Sequence, residues 1–267
     1  MRSLTWKWHW PSRDGLPPLA LIALLLTILL ALGSTAALVE VDLVRIIQST
    51  GRLFEFARQL FALPNWDYLP TLGVKMLETI EIAFLSTTFA LLLSLPLGVL
   101  AARNSTPHPI VYHFSRNLLS IMRALPEVVW ALVFVSAVGL GALPGVMALS
   151  FVTTGFMAKF FAESIEVVDS KAVEGITATG ASWLQLINFA MLPQAFPDII
   201  GTVLYILDHN LRTATIVGLV GAGGIGYELV TSIRLFNYSQ LMMIVLAIYL
   251  AVTVLDRVSN QLRSRVI

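Results

Sequence analysis

The chain has 267 residues, of which 57% are hydrophobic and only 12% are charged, and its formal net charge is +1. An average soluble domain carries about 25% charged residues, so this composition excludes a water-covered globular domain and indicates an integral membrane protein. The small net charge argues against a nucleic-acid partner, and the lack of cysteine excludes disulfide frameworks and thiolate metal sites.

The N-terminal quarter predicts one span followed by a surface helix. Residues 1–16 are polar and basic, with three tryptophans that are typical of a membrane interface. Residues 17–39 carry no charge and are long enough to cross a bilayer. A cleaved signal peptide is the alternative, although its apolar core is usually about 7–15 residues long. In residues 40–70, apolar residues recur at helical spacing between arginines, which indicates an external amphipathic segment.

Residues 71–258 predict five more spans, which gives an all-α bundle of about six transmembrane helices. The expected spans are Leu72–Ala102, Asn117–Val138, Val146–Phe161, Gln194–Gly218 and Leu241–Leu255. A tight turn at 139–145 would join the third and fourth spans into a hairpin. The stretch from Gly221 to Tyr238 predicts a loop, and residues 259–267 predict a polar tail.

The distribution of lysine and arginine predicts the orientation of these spans. With both termini inside, ten of these residues lie in inner segments and five in outer segments. Because inner loops are enriched in positive charge, we expect a multi-pass protein of the bacterial inner membrane with a cytoplasmic N-terminus. This orientation places residues 163–193 in the cytoplasm.

Residues 163–193 form the longest clearly amphipathic stretch of the chain. Gly180 predicts a helix end, because glycine adopts positive φ without strain. Ser182 and Gln185 then match a capping box, and Pro193 predicts the end of the second helix. We expect a helix, a glycine turn and a short helix that projects from the bundle. An ordinary loop helix resting on the membrane surface is the alternative.

The spacing of Glu174, Gly180 and Leu192-Pro193 resembles the coupling-loop motif of ABC-importer permeases, although Gly175 and Ile176 replace the usual alanines. The resemblance implies that the short helix docks in a groove of a separate ATP-hydrolysing subunit. The residues implied in this contact are Glu174, Gly175, Gly180, Ala181, Trp183, Leu184, Leu192 and Pro193.

Two further stretches, Arg123–Glu127 and Asn210–Gly226, resemble the permeases of phosphonate-type importers, a group that includes phosphite and hypophosphite permeases. The resemblance implies a type I permease fold. Its implied partners are a second permease chain, most simply an identical one, two ATPase subunits that hold ATP and Mg, and an extracytoplasmic solute-binding protein. The sequence has no phosphate-binding G-x-x-x-x-G-K-[ST] loop. We therefore expect a non-catalytic subunit that binds no cofactor or metal itself.

Two pairs of charged residues within the predicted spans matter most for function: Arg123 with Glu127, and Asp208 with Arg212. Each pair is spaced i, i+4 and would share a helix face. Charges at this depth are costly and usually face a bundle interior or a water-filled path. One hypothesis is a translocation path in which both arginines offset the charge of an oxyanion, because guanidinium matches its oxygens in a planar fork. The alternative is two ion pairs that only stabilise the bundle.

The glycine-rich stretch 221–226 formally matches G-x-G-x-x-G, but a dinucleotide site also requires a βαβ unit. We expect instead that Gly221, Gly223, Gly224 and Gly226 form an outer loop at the mouth of the path. Close helix packing is the alternative. The main prediction is the permease subunit of an ATP-driven importer for a small phosphorus oxyanion. A secondary transporter or channel for a small anion, without an ATPase, is the competing class, and a membrane enzyme is disfavoured because no catalytic constellation is present.

Overall fold

The computed structural model describes residues 18–38, 43–60 and 64–266, and every regular element in these ranges is helical, which confirms the predicted all-α class. A 3₁₀ turn (Trp66–Tyr68) and a π-helical turn (Ile187–Met191) supplement the helices. The helices are α1 (Pro18–Leu38), α2 (Leu43–Leu60), α3 (Leu69–Ala101), α4 (Pro109–Met122), α5 (Glu127–Val138), α6 (Ala142–Glu166), α7 (Ser170–Thr177), α8 (Trp183–Leu186), α9 (Leu192–Gly218), α10 (Gly224–Arg234) and α11 (Tyr238–Val266).

The chain divides into a unit of residues 1–57 and a unit of residues 58–267. In the first unit, α1 is an uncharged helix of 21 residues. At 1.5 Å per residue it is about 31 Å long, which matches the hydrocarbon thickness of a bilayer. Most of α2 also belongs to this unit and has the predicted amphipathic pattern. The predicted interfacial segment 1–16 lies outside the described residues.

The second unit contains the other candidate spans. Among the described residues, four helices are long and apolar enough to cross a membrane, namely Trp66–Ala101, Ala142–Glu166, Trp183–Gly218 and Tyr238–Ser264. Helices α4 and α5 together form a fifth candidate that is bent by 84°. The described residues thus contain four or five candidate spans, so the predicted number of six is approximate.

The third span is not the continuous helix predicted for Asn117–Val138. Helix α4 ends at Met122, Arg123 caps it, and α5 begins at Glu127 after Pro126. Proline has no N–H to donate and disfavours helical geometry in the residue before it, so Pro126 accounts for the break.

Helix α6 is the centre of the second unit, where it packs against α3, α4, α5 and α9. In the most apolar stretch of α6, 67% of the residues are buried inside the protein, compared with 17% in the most apolar stretch of α11. The side chains of Leu149, Met157 and Phe161 on α6 are fully buried. Helix α11 therefore leaves most of its surface to lipid or to another subunit.

Two stretches expected to be irregular are helical. Residues 224–234 of the predicted loop form α10, because Glu78 Oε1 accepts from Gly224 N at 3.0 Å and Thr79 Oγ1 accepts from Ile225 N at 2.8 Å. These bonds from α3 satisfy N–H groups that a helix start leaves unpaired. Helix α11 also continues to Val266, through most of the predicted tail.

Candidate functional site

The segment between α6 and α9, residues 167–191, contains the predicted coupling motif within the 163–193 stretch. Asp169 caps α7, since its Oδ1 accepts from Lys171 N at 2.9 Å. Gly180 follows with φ of +80°, a left-handed conformation that favours glycine. The predicted capping box begins α8, where Ser182 N donates to Gln185 Oε1 at 2.7 Å. The segment is thus a helix, a glycine turn and a second helix, as predicted.

Pro193 does not end the second helix, which corrects one prediction. Helix α8 continues through the π-helical turn into α9, so that Trp183–Gly218 is one long helix. Within the turn, Leu192 N donates to Ile187 O, five residues back. The wider π-helical turn accommodates Pro193, which has no N–H to donate, without ending the helix. No break in the helix therefore separates α8 from α9.

Three contacts fix the 167–191 segment to the bundle. Trp183 Nε1 donates to Ser105 O in the α3–α4 loop at 2.6 Å. Asp169 N donates to the side chain of Gln194 on α9 at 3.0 Å. Val168 and Val173 pack against the main core cluster. The segment is thereby tied to both α9 and the α3–α4 loop.

The same loop is held a second time by Glu166, the last residue of α6. Glu166 Oε1 accepts from Arg116 Nη2 at 2.7 Å and from Arg103 N at 2.7 Å. Asn104 Nδ2 adds a bond to Ile165 O at 2.7 Å. Sequence reasoning did not identify these contacts, because they join residues about 50 to 60 positions apart.

The 167–191 segment exposes several large apolar side chains among polar ones. Val167, Leu184 and Phe189 are 77%, 61% and 69% exposed. Large exposed apolar side chains with polar groups around them are one feature of surfaces that bind another protein. Of the residues predicted to contact an ATPase, Ala181 and Leu192 are half-buried, whereas the exposed ones are Glu174, Gly175, Gly180, Trp183, Leu184 and Pro193.

Arg123 and Glu127 do not share a helix face, because the break at Pro126 separates them. Arg123 donates through Nε to Leu119 O at 3.2 Å, and its guanidinium lies 5.3 Å from the centre of the Phe156 ring. Glu127 Oε1 instead lies 3.9 Å from Nε2 of His209 on α9. Arg123 and Glu127 therefore do not form the predicted intrahelical pair, and each contacts different residues.

A cavity of about 160 Å³ lies beside Glu127 and His209, between α5, α6 and α9. Its wall includes Phe156, the ring that faces Arg123 on the other helix. The Tyr205 ring stacks on His209, with 6.4 Å between the ring centres. The cavity is thus a small pocket with one carboxylate and one imidazole among aromatic walls.

The predicted pair of Asp208 and Arg212 is formed on α9. Arg212 Nη1 also lies 3.6 Å from Asp256 Oδ1 on α11, a third member that sequence reasoning missed. Asp208 is buried, and its Oδ1 has no hydrogen-bond partner in the part of the chain that the structure describes. The cluster joins α9 to α11 and carries two carboxylates against one guanidinium.

Between these charges, Asn210 forms a buried polar bridge that was also missed. Asn210 Oδ1 accepts from Thr153 Oγ1 of α6 at 3.0 Å, and Asn210 Nδ2 donates to Thr87 Oγ1 of α3 at 2.9 Å. All three side chains are buried. The bridge locks α3, α6 and α9 together beside the charged cluster. The sequence does contain a signal for this bridge, because Asn210 is a polar residue between two charged residues in an otherwise apolar run.

The glycine-rich stretch joins α9 to α10 in close contact. Gly141 N donates to Gly221 O at 3.1 Å, and Gly224 N is held by Glu78. A Cβ atom on Gly226 would overlap Thr215 O and lie 2.9 Å from Gly218 Cα. This geometry favours the packing alternative for Gly226. Among the described residues, no three His, Cys, Asp or Glu side chains come together as a possible metal site.

Comparison with known proteins gives one family match. The family described as "Binding-protein-dependent transport system inner membrane component" matches residues 94–267. This region begins within α3 and includes the 167–191 segment, the charged cluster and the glycine-rich stretch.

Two curated relatives are about equally similar. The chain is 40% identical over 208 residues to the phosphate-import permease protein PhnE of Mycolicibacterium smegmatis, covering 76% of this chain and 38% of that protein. It is 42% identical over 188 residues to the phosphite transport system permease protein PtxC of Stutzerimonas stutzeri, covering 70% and 68%. The chain thus spans less than half the length of the first relative and about two thirds of the second.

A solved structure has the same fold. The membrane subunit in an inward-facing conformation of the MetNI methionine ABC transporter superposes with a TM-score of 0.67 at 19% identity. The alignment covers 76% of this chain and 99% of the other.

Proposed function

The chain belongs to the family of binding-protein-dependent transport system inner membrane components, and from this premise we propose that it is the permease subunit of an ATP-driven importer for a small phosphorus oxyanion. Relatives named for phosphate import and phosphite transport support this cargo. Phosphonate and hypophosphite have the same tetrahedral chemistry and remain candidates.

The observation that carries the proposal is the 167–191 segment. It offers an exposed apolar surface around Leu184, yet Trp183 and Asp169 tie it to the bundle. Because α8 runs into α9 without a break, work done on α8 by a partner would reach Asp208 and Arg212. The chain itself would be non-catalytic, and partner ATPase subunits would hold ATP and Mg.

The translocation path would run along the charged side chains near the break in the third span. Arg123 and Arg212 would offset the negative charge of the cargo, while Glu127 and Asp208 orient the path walls. Guanidinium suits this role because it stays charged and presents a planar fork of donors.

The proposed assembly contains two permease chains, two ATPase subunits and a solute-binding protein. A second copy of the chain would complete the path, two ATPase subunits would dock on the 167–191 segments, and a solute-binding protein would deliver cargo at the Gly221–Gly226 end. This arrangement places the N-terminus and the 167–191 segment in the cytoplasm and the glycine-rich stretch outside. The membrane is the bacterial inner membrane.

Reconstitution with an ATPase and a solute-binding protein tests the proposal. We expect ATP-dependent uptake of radiolabelled phosphite or phosphate into proteoliposomes. Leu184→Glu should abolish both uptake and co-purification of the ATPase, because a carboxylate would be buried in the contact. Leu235→Glu, at the exposed end of α10, is the matched control and should leave ATPase co-purification unchanged. Uptake without ATP or an ATPase would instead support the secondary transporter.

A further inference from the structure

A cavity of about 180 Å³ between α4 and α6 is lined by three cationic side chains, Arg116, Arg123 and Lys159. Arg116, Ser120 and Arg123 are spaced at i, i+4 and i+7, so they lie along one face of α4. Lys159 projects from the facing surface of α6. The rest of the wall is formed by Ala101, Leu119, Ser120 and Ala162.

The charges around this cavity do not balance. Arg116 is paired with Glu166 at 2.7 Å. Lys159 Nζ lies 3.7 Å from Glu163 Oε1, which is longer than a hydrogen bond. Arg123 has no acidic partner within 4 Å among the described residues. Three cations therefore face two carboxylates, and the excess positive charge lies at Arg123.

The cavity also contains unused hydrogen-bond donors. The only hydrogen bond of Arg123 within the described chain runs from Nε to Leu119 O at 3.2 Å, which leaves both Nη groups without a partner there. A guanidinium within a span is costly unless its donors are paired or hydrated. The Nη donors of Arg123 are thus available to an acceptor, in addition to the contact of the guanidinium with the Phe156 ring.

We propose that this cavity is a binding site for a phosphorus oxyanion, supplied either as the free imported anion or as the phosphate of a membrane lipid. Arg123 would donate through its planar fork and Lys159 through its ammonium, with Arg116 adding charge. At about 30 Å³ per water, the cavity has room for about six waters, which accommodates a tetrahedral oxyanion. This inference rests on the proposed function only in naming the imported anion as one of the two possible ligands.

Binding to the purified full-length protein, with its ATPase if needed for stability, tests the site. Phosphite is titrated and followed by ³¹P NMR line broadening, and bound anionic phospholipid is measured by native mass spectrometry. We expect at least one of the two to bind, and Arg123→Gln to weaken that binding at least tenfold. Arg123→Lys, which keeps the charge but loses the fork, should be intermediate. Arg234→Gln, an exposed arginine on α10, is the control and should bind normally.

The two measurements separate the sources. Phosphite binding that depends on Arg123 identifies the free anion, and phospholipid retention that depends on Arg123 identifies the lipid. If Arg123→Gln does not yield a monodisperse protein, Lys159→Gln is the second variant and should also weaken binding. Phosphite and phospholipid binding that are both absent, or both unaffected by these variants, would overturn the site. Site binding without uptake would contradict the proposed function alone. ATP-dependent uptake without site binding would contradict this inference and the role of Arg123 in the path, but not the importer function.

Discussion

Replacing Glu166 with alanine is expected to release the α3–α4 loop from the end of α6. Glu166 Oε1 accepts from Arg116 Nη2 and from Arg103 N, both at 2.7 Å. The ion pair is partly exposed and contributes up to about 1 kcal/mol. The bond from the backbone N–H to a carboxylate contributes at least about 1 kcal/mol more. We therefore expect Glu166→Ala to cost about 2 kcal/mol of local stability in the loop.

Glu163 provides a matched control on the same helix. It lies one turn before Glu166, and its ion pair with Lys159 spans i, i+4 at 3.7 Å within α6. Exposed pairs of this kind contribute only about 0.3–0.5 kcal/mol. Because the pair does not involve the α3–α4 loop, Glu163→Ala should leave the loop's stability unchanged.

Hydrogen–deuterium exchange of residues 102–106 measures the difference. Since 1.4 kcal/mol is a factor of ten, a loss of about 2 kcal/mol raises the opening constant of this loop about 30-fold in Glu166→Ala. Glu166→Gln retains a neutral acceptor and should give a smaller increase. Equal exchange in the Glu166→Ala and Glu163→Ala proteins would refute the assignment of Glu166 as the anchor of the loop.

Three other test substitutions, two of them with a comparison variant, give distinct outcomes. Gly180→Ala should lower the stability of the turn by about 1–2 kcal/mol and weaken ATPase co-purification, because φ is +80° at this position. Gly175→Ala should instead stabilise α7 by up to about 1 kcal/mol, because Gly175 has helical geometry and open space around it. Asn210→Leu removes two inter-helix hydrogen bonds of about 0.6 kcal/mol each and should lower the detergent melting temperature, whereas Thr88→Val on exposed α3 surface should not. Trp183→Phe keeps the ring but loses the bond to the α3–α4 loop, so uptake should fall at unchanged expression; unchanged uptake would contradict a coupling role for that bond.

Local patterns predicted the parts of the site that depend on neighbouring residues. The Ser182–Gln185 capping box and the turn at Gly180 are present because capping and positive φ are properties of a few consecutive residues. The family resemblance, which rests on Glu174, Gly180 and Leu192-Pro193, is confirmed by the match over residues 94–267. The roles of these residues in ATPase contact remain a prediction.

The predictions from sequence were wrong where the local effect of a proline depends on the surrounding structure. Pro126 breaks the third span, although the apolar run continues across it, so Arg123 and Glu127 were wrongly placed on one helix face. Pro193, by contrast, does not break its helix, because a π-helical turn precedes it. The same residue type gave opposite outcomes, and only the surrounding backbone distinguishes the two cases.

Composition and apolar runs were sufficient to establish a membrane protein of about six spans, because transfer of a helix into lipid depends on its own residues. Tertiary structure alone decided which polar groups meet. Asn210 bonds to Thr87 and Thr153, and Glu78 caps α10, across 57 to 146 residues of chain. Each of these residues is compatible with its own helix whichever partner it has, so the local sequence does not determine which residues form hydrogen bonds with each other. The selection comes from the packing around α6, which leaves each buried polar group only a few partners within reach.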